Sequence, residues 1–410
     1  MEVFGNNVIV DLSYYDGQKC IFFPTDGQLG EKYATDNNLV RVKDAEGNNI
    51  GGYLDPDKRN IRAMKLRGEK SEGLLMPIET LSPYTNIDSL KVGDKINVLN
   101  GQVICQKYIP RKKNIPGTSH NISKKSKQHK SVQYPLFKEH VDTEQLMYNK
   151  GAFKEGDTIY LTRKLHGTSF RIGNTLQTQT KKRKLFLRKI FHLQDKENKT
   201  FKVISGTRRT ILDTFEGGYY GSNQFRKPYQ DFLANKLPKG MTVYGEIVGW
   251  MNETTPIMGK CSNLKVQDTA FRKKYGDETV FTYGCKPGEN TAYIYRITMQ
   301  NEDGDTIELP TEEVIIWCEK LGIPYVPLLE KFLYTTWNDL LARVNQYLDL
   351  PEPLSHNTHI SEGVVVRIDN RSKFTAYKQK GFYFKVLEGI ISDNALYPNI
   401  EEMEELLNDT

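Results

Sequence analysis

The sequence predicts an α+β protein in which a small N-terminal β-barrel precedes a larger domain of mixed strands and helices. Three observations lead there. Residues 1–108 carry short β-like runs parted by turn signals; residues 109–133 turn abruptly basic; residues 134–410 mix alternating apolar runs with capped amphipathic helical ones. A chain of 410 residues has room for two or three domains. Its apolar fraction of 38%, with 23 tyrosines and 18 phenylalanines, supplies real cores and argues against wholesale disorder.

Val8–Val10, Cys20–Phe23, Leu39–Val42 and Lys95–Leu99 read as strands, and Asp16-Gly17, Glu46–Asn49 and Asn100-Gly101 as the turns between them. Asn100-Gly101 is a hairpin signal that joins Ile96–Leu99 to Gln102–Cys105. Ile61–Arg67 alternates basic and apolar side chains. About five strands in about 100 residues fit a small barrel, with the OB-fold as the leading candidate, although periodicity does not separate it from other small barrels.

In residues 109–133, Arg111, Lys112, Lys113, Lys124, Lys125, Lys127 and Lys130 occur without an acid, and Pro110, Pro116 and Gly117 break any period. The segment reads as a basic linker, serving as a solvated tether, a phosphate contact, or both. A second basic patch, Lys181–Lys184 with Arg188-Lys189, is interleaved with Leu185, Phe186 and Leu187.

Farther along, Thr143–Leu146 opens a short helix or turn, and Thr158–Thr162 is a strand that ends at a lysine. A helix is expected near residues 227–236, and strands at Thr242–Val248, Val280–Tyr283 and Ala292–Ile297. Glu312–Leu321 is an amphipathic helix with Thr311 as N-cap and Gly322 as its stop. Trp337–Tyr347 is another helix, Gly363–Ile368 and Gly381–Val386 are the last strands, and Ile400–Leu407 is an acidic tail helix.

The net charge of +6 is modest, but its clustering points to a polyanionic partner. The five cysteines are scattered and form no C-x-x-C pair, which suggests neither zinc nor disulfides and fits a reducing compartment. The first residues lack a signal-peptide pattern, and no apolar run approaches the ~18 residues of a membrane span. An intracellular, cytoplasmic monomer with no membrane partner is the expectation.

The residues that carry chemistry begin with Lys164-Leu165-His166-Gly167-Thr168-Ser169. A lysine at a strand end is anchored yet free to project, Gly167 permits a close backbone approach, and the two hydroxyls suit phosphate or ribose oxygens. In isolation the same six residues would fit a plain strand and turn. Four pieces follow: Ser205–Arg209, with two guanidiniums; Glu246, a carboxylate inside an apolar strand; Glu362-Gly363-Val364-Val365-Val366-Arg367; and Lys378-Gln379-Lys380. A carboxylate in an apolar strand is costly unless paired or functional. Lysines at i and i+2 of an extended segment share a face and can meet one phosphate. Singly, each piece fits an ion pair or a solvated surface; the ordered set is the specific signal.

That set resembles the covalent nucleotidyltransferases, the superfamily of ATP-dependent ligases and mRNA capping enzymes, over roughly residues 134–395. Lys164 and Gly167 match the Lys-x-x-Gly nucleophile motif. DNA ligases usually carry Asp where this chain has His166, and the Lys-Leu-His-Gly-Thr-Ser form is closer to RNA ligases. The resemblance implies that Arg208, with Arg209 as alternate, contacts ribose, and that Tyr293 or Tyr295 stacks on adenine. It also implies Glu246 and Glu362 as ligands of Mg²⁺ or Mn²⁺. Lys378 and Lys380 would hold the α-phosphate, with Lys385 a competitor for that motif.

Too few residues follow Asp393 for a C-terminal OB module, and the barrel precedes the catalytic motifs instead. That order is similar to ATP-dependent RNA ligases with an N-terminal OB module, and residues 61–82 resemble that module. The implied fold is an OB-like barrel, then a nucleotidyltransferase (adenylylation) domain of antiparallel sheets flanked by helices. The implied activity joins RNA 3′-OH and 5′-phosphate ends, including nicked duplexes, through a lysyl-AMP and an adenylylated RNA, in RNA repair or nick sealing. ATP is the implied cofactor. The alternatives are a capping-type guanylyltransferase and a non-catalytic RNA-binding protein on the same fold.

Overall fold

The computed structural model describes residues 1–388 apart from positions 5, 26, 44, 47, 48, 62, 63, 67, 68, 109–131, 182–195, 213, 218, 219, 267 and 370. The basic linker up to residue 131, the 182–189 patch and the expected helix at Ile400–Leu407 lie outside the described residues. These form two compact units, residues 1–108 with 385–388, and residues 132–384.

The larger unit is built on two sheets, and its strands are numbered here as β1 Thr158–Lys164, β2 Thr168–Lys181, β3 Lys196–Gly206, β4 Met241–Gly249, β5 Asn290–Gln300, β6 Leu328–Leu333, β7 Gly363–Ile368 and β8 Thr375–Lys380. The first sheet has the order Ile211–Leu212, β3, β2, β4, β5, Thr306–Glu308, with Val132–Gln133 also paired to β2. All its pairings are antiparallel. The second has the order Glu144–Gln145, β8, β7, β1, β6, antiparallel except for the parallel pairing of Glu144–Gln145 with β8.

Period-2 alternation decides what each sheet buries. In the first sheet, Phe170 and Ile172 of β2, Val243 and Ile247 of β4, and Ala292 and Ile294 of β5 share one core. The helix Thr311–Leu321 packs Val314, Cys318 and Leu321 into it. In the second sheet, Ile159 and Leu161 of β1 with Val364, Val366 and Ile368 of β7 form another core, closed by Leu340 and Val344 of the helix Trp337–Asn345. The opposite parity positions, Ser169, Glu246, Lys164, Val365, Arg367 and Lys378, fall on the other faces.

Several expectations are corrected. Val280–Tyr283 is not a strand: only Glu278–Thr279 is extended into a pair, and Tyr283 has a φ of +50°. Gly381–Val386 is not a strand either; β8 is the last strand among the described residues, and the helix Phe382–Glu388 follows it. Lys385 therefore lies on a helix and no longer competes with Lys378 and Lys380. The Asp349 carboxylate accepts from the Phe382 and Tyr383 N–H groups at 3.0 and 2.9 Å and so starts that helix. Likewise Thr311 is helical rather than an N-cap, and Asp369 accepts its N–H at 2.8 Å. Gly322 ends the helix in a left-handed conformation, as expected.

In the smaller unit, Cys20–Phe23 pairs with Leu74–Pro77 and Gly27–Leu29 pairs with Cys105–Lys107, around a core that includes Phe23, Leu29, Tyr33, Leu54 and Ile104. The Asn100-Gly101 hairpin forms as expected, with φ values of +46° and +79° joining Val98–Leu99 to Gln102–Val103. Val8–Val10 is not a strand, and of Leu39–Val42 only Val42 belongs to a strand, Val42–Lys43, while Val40 makes an isolated bridge to Leu54. The strands of this unit pair in twos, and no closed barrel is seen among the described residues.

Candidate active site

β1 and β2 belong to different sheets, and the chain passes from one to the other in three residues, Leu165, His166 and Gly167. Lys164 is the last residue of the first strand. It pairs with Gly363 across β7, which brings it beside Glu362. The Lys164 Nζ lies 2.7 Å from Glu362 Oε1, and the Lys380 Nζ lies 3.4 Å from the same oxygen. Glu362 is 0% exposed and Lys164 12%. A carboxylate so fully removed from water must be matched by charge, and two ammoniums do so here.

The crossover has room for nothing larger than glycine. A Cβ on Gly167 would stand 2.3 Å from the Ile247 carbonyl oxygen of β4. On the far side of the turn, buried Arg226 donates to Thr168 Oγ1 at 2.6 Å and to the Ser169 carbonyl at 2.7 Å.

A cleft opens between the sheets, with about 840 Å³ not filled by protein and part of it open to solvent. Lys164, Leu165 and Thr162 line it from β1 and its end; Ser169 and Glu246 from the first sheet; Val365, Arg367 and Lys378 from the second; and Arg208 from the turn after β3. Ser169 Oγ donates to Glu246 Oε2 at 3.3 Å. Arg208 is held by Asp142 at 3.0 Å, with Arg209 at 3.8 Å from the same carboxylate.

One end of the cleft is aromatic, formed by Tyr295, Tyr325, Phe374 and His140. β5 carries a register shift opposite Tyr244/Gly245, so that Tyr293 faces Glu246 in register while Tyr295 has no direct partner on β4. Tyr295 lines the cleft and Tyr293 does not. The Tyr295 hydroxyl meets His140 Nδ1 at 2.5 Å. Burial first, then the positive charges of Arg171, Arg208 and Arg296, hold the His140 imidazole well below its ordinary range and keep it neutral.

Of the predicted residues, Lys164, Arg208, Glu246, Tyr295 and Lys378 share one cleft, with Glu362 and Lys380 directly behind Lys164. Lys380 departs from expectation. It is 5% exposed, its ammonium sits on Glu362 over the Phe384 ring, and it does not line the cleft as Lys378 does. Nor does His166, whose ring is held edge-on between Phe281 and Phe384 at 4.8 and 4.9 Å. Sequence reasoning missed His140, Phe374, Arg367, Arg226 and Tyr283. Only Arg367, which stands inside a quoted motif, carried any signal.

A model of the RNA ligase family matches residues 157–387, more than half of the chain. No curated protein matches it in sequence. Among solved structures, the Naegleria gruberi RNA ligase with PPi aligns with a TM-score of 0.51 at 17% identity over 94% of this chain and 91% of that one. A mutant of the same ligase with ATP and Mn gives a TM-score of 0.52 at 17% identity over 93% and 91%. Another mutant, with AMP and Mn, gives 0.51 at 16% identity over 92% and 89%. At such identities these likenesses speak for the fold, whereas the family match spans β1, which ends at Lys164, and every strand that lines the cleft. The chain belongs to the RNA ligase family.

Proposed function

We propose that the chain is an ATP-dependent RNA ligase that joins RNA 3′-OH and 5′-phosphate ends, acting in RNA repair or nick sealing. The observation that carries this reading is the Lys164 amine, 2.7 Å from a fully buried carboxylate and in the wall of a cleft with aromatic and cationic linings. Within this reading residues 1–108 serve as an OB-like nucleic-acid module, 109–133 as a basic linker and 134–410 as the adenylylation domain.

The chemistry follows from the residues. An ammonium cannot attack phosphorus, so Lys164 must first lose a proton, and Glu362 is placed to accept it. The freed amine attacks the α-phosphorus of ATP; a P–N bond forms and the P–O bond to pyrophosphate breaks. Lys378, on the cleft wall, neutralises the phosphate oxygens, while Lys380 holds Glu362 from behind. Arg208 reaches the ribose and Tyr295 stacks on the adenine, its hydroxyl fixed by His140. AMP then passes to the RNA 5′-phosphate, and the 3′-OH displaces it to form the phosphodiester.

Mg²⁺ or Mn²⁺ fits the donor set, because Glu246, Glu362 and the Ser169 hydroxyl offer only oxygens. Glu246 would hold the ion from the cleft wall, with Glu362 a ligand only while it is still a carboxylate, and the ion would supply charge neutralisation at the phosphates.

Incubation with ATP and Mg²⁺, followed by mass spectrometry, tests the reading. An AMP adduct is expected on the Lys164 peptide and absent from Lys164→Ala, which keeps its affinity for RNA. An adduct formed from GTP alone would point to a capping-type enzyme, and no adduct from either nucleotide would point to a binding protein.

A further inference from the structure

Next to the cleft, but not lining it, a buried chain of hydrogen bonds joins the segment that carries Lys164 to the one that carries Glu362. The His166 N–H donates to the Tyr283 hydroxyl at 2.6 Å. The Tyr283 N–H donates to His359 Nε2 at 3.4 Å. The His359 Nδ1 lies 2.9 Å from the Ile360 carbonyl oxygen. If Nε2 accepts, the imidazole is neutral with its proton on Nδ1, which then donates to Ile360. His166 lies two residues beyond Lys164, and Ile360 two residues before Glu362. One tyrosine therefore ties the turn that carries the nucleophile to the segment that carries its proton acceptor.

Tyr283 does this in a backbone conformation that bulky residues rarely adopt, with a φ of +50°. Such strain persists only where the surroundings over-determine it. Here they do: the Tyr283 ring meets His359 at 4.9 Å, and Phe281 meets both His359 and His166, at 5.0 and 4.8 Å.

We infer that Tyr283 is a positioning residue for nucleotidyl transfer, setting the distance between Lys164 and Glu362 from behind the cleft. The inference rests on the lysyl-AMP reading given above. It names a role for a residue that does not line the cleft. If Tyr283 merely filled the core, losing its hydroxyl would affect stability and leave the rate per folded molecule unchanged.

The test is Tyr283→Phe in the full chain, which keeps the ring and removes the acceptor for the His166 N–H. Adduct formation from ATP is followed in single turnover. The saturating rate is expected to fall about tenfold, because the amine and its base are no longer held in register. The ATP concentration giving half that rate should stay within about twofold, because the nucleotide's own contacts are untouched. The final adduct yield should match the unsubstituted chain, and the melting temperature should change by less than about 4 °C. An unchanged saturating rate overturns the inference, and so does a rate loss explained by a proportional loss of adduct yield. If the unsubstituted chain forms no adduct, the ligase reading falls and takes this inference with it. If it forms the adduct and Tyr283→Phe matches it, only the inference falls.

Discussion

Under the proposed lysyl-AMP chemistry, the Lys164 amine must stay close to Glu362 without being locked there. The carboxylate of Glu362 is shared between Lys164 at 2.7 Å and Lys380 at 3.4 Å, so two ammoniums together match its buried charge. Lys164 meets that carboxylate from the cleft wall, and Lys380 meets it from outside the cleft lining. A second residue-scale consequence concerns pH. Burial lowers the His359 imidazole from 6.5 to about 4. The unfolded chain therefore binds a proton at a pH where the folded chain still does not. The stability gained by keeping His359 neutral is whole above pH 6.5 and is lost as pH falls from 6.5 toward about 4. Its size is at most about 3 kcal/mol. Urea unfolding at a series of pH values should show stability dropping across that window, and His359→Asn should show a shallower slope. Equal slopes would mean that His359 titrates alike in both states.

At the scale of elements, two helices begin on acids far away in the chain. Asp369 caps Thr311 from 58 residues downstream, and Asp349 caps Phe382 from 33 residues upstream. Asp349 itself has a φ of +55°, which Asp and Asn tolerate better than most residues. Asp349→Asn keeps that tolerance and one acceptor but gives up the charge. It should cost about 1 kcal/mol in urea unfolding, and no cost would mean the cap is idle. These caps also explain what the sequence could and could not convey. Gly363–Ile368 was legible to the residue, because a valine run bounded by glycine and turn residues has one good solution. Lys164 at a strand end and Glu246 inside a strand were legible for the same reason. Phe382–Glu388 was not: its alternating apolar residues also fit a strand, and the acid that decides for a helix lies outside any local window. Tyr283 was misread because only tertiary contacts stabilise a positive φ at a tyrosine. His140 was invisible because its partner, Tyr295, is 155 residues away. Among the described residues the N-terminal runs have β composition but pair in twos, since strand propensity does not specify how many neighbours a strand will find.

For the molecule as a whole, the +6 net charge understates the local field, because the cations are grouped. Lys124, Lys125, Lys127 and Lys130 lie in a stretch without acids, and the proposal that this stretch meets a polynucleotide backbone can be tested with salt. Binding of that kind releases counterions. For single-stranded RNA the logarithm of affinity should fall linearly with the logarithm of salt, with a slope of about −0.7 for each phosphate neutralised. With about five such contacts, affinity should drop roughly a hundredfold between about 50 and 200 mM salt. Replacing the four lysines by glutamine should then reduce the slope by up to about 2.8, since each lost contact removes about 0.7. Adduct formation on Lys164 should continue at its normal rate, because that step meets the nucleotide alone. The two readouts together separate a backbone-binding segment from a tether. A tether would leave the salt slope as it was. A segment needed for the chemistry itself would slow the adduct even when no RNA is present.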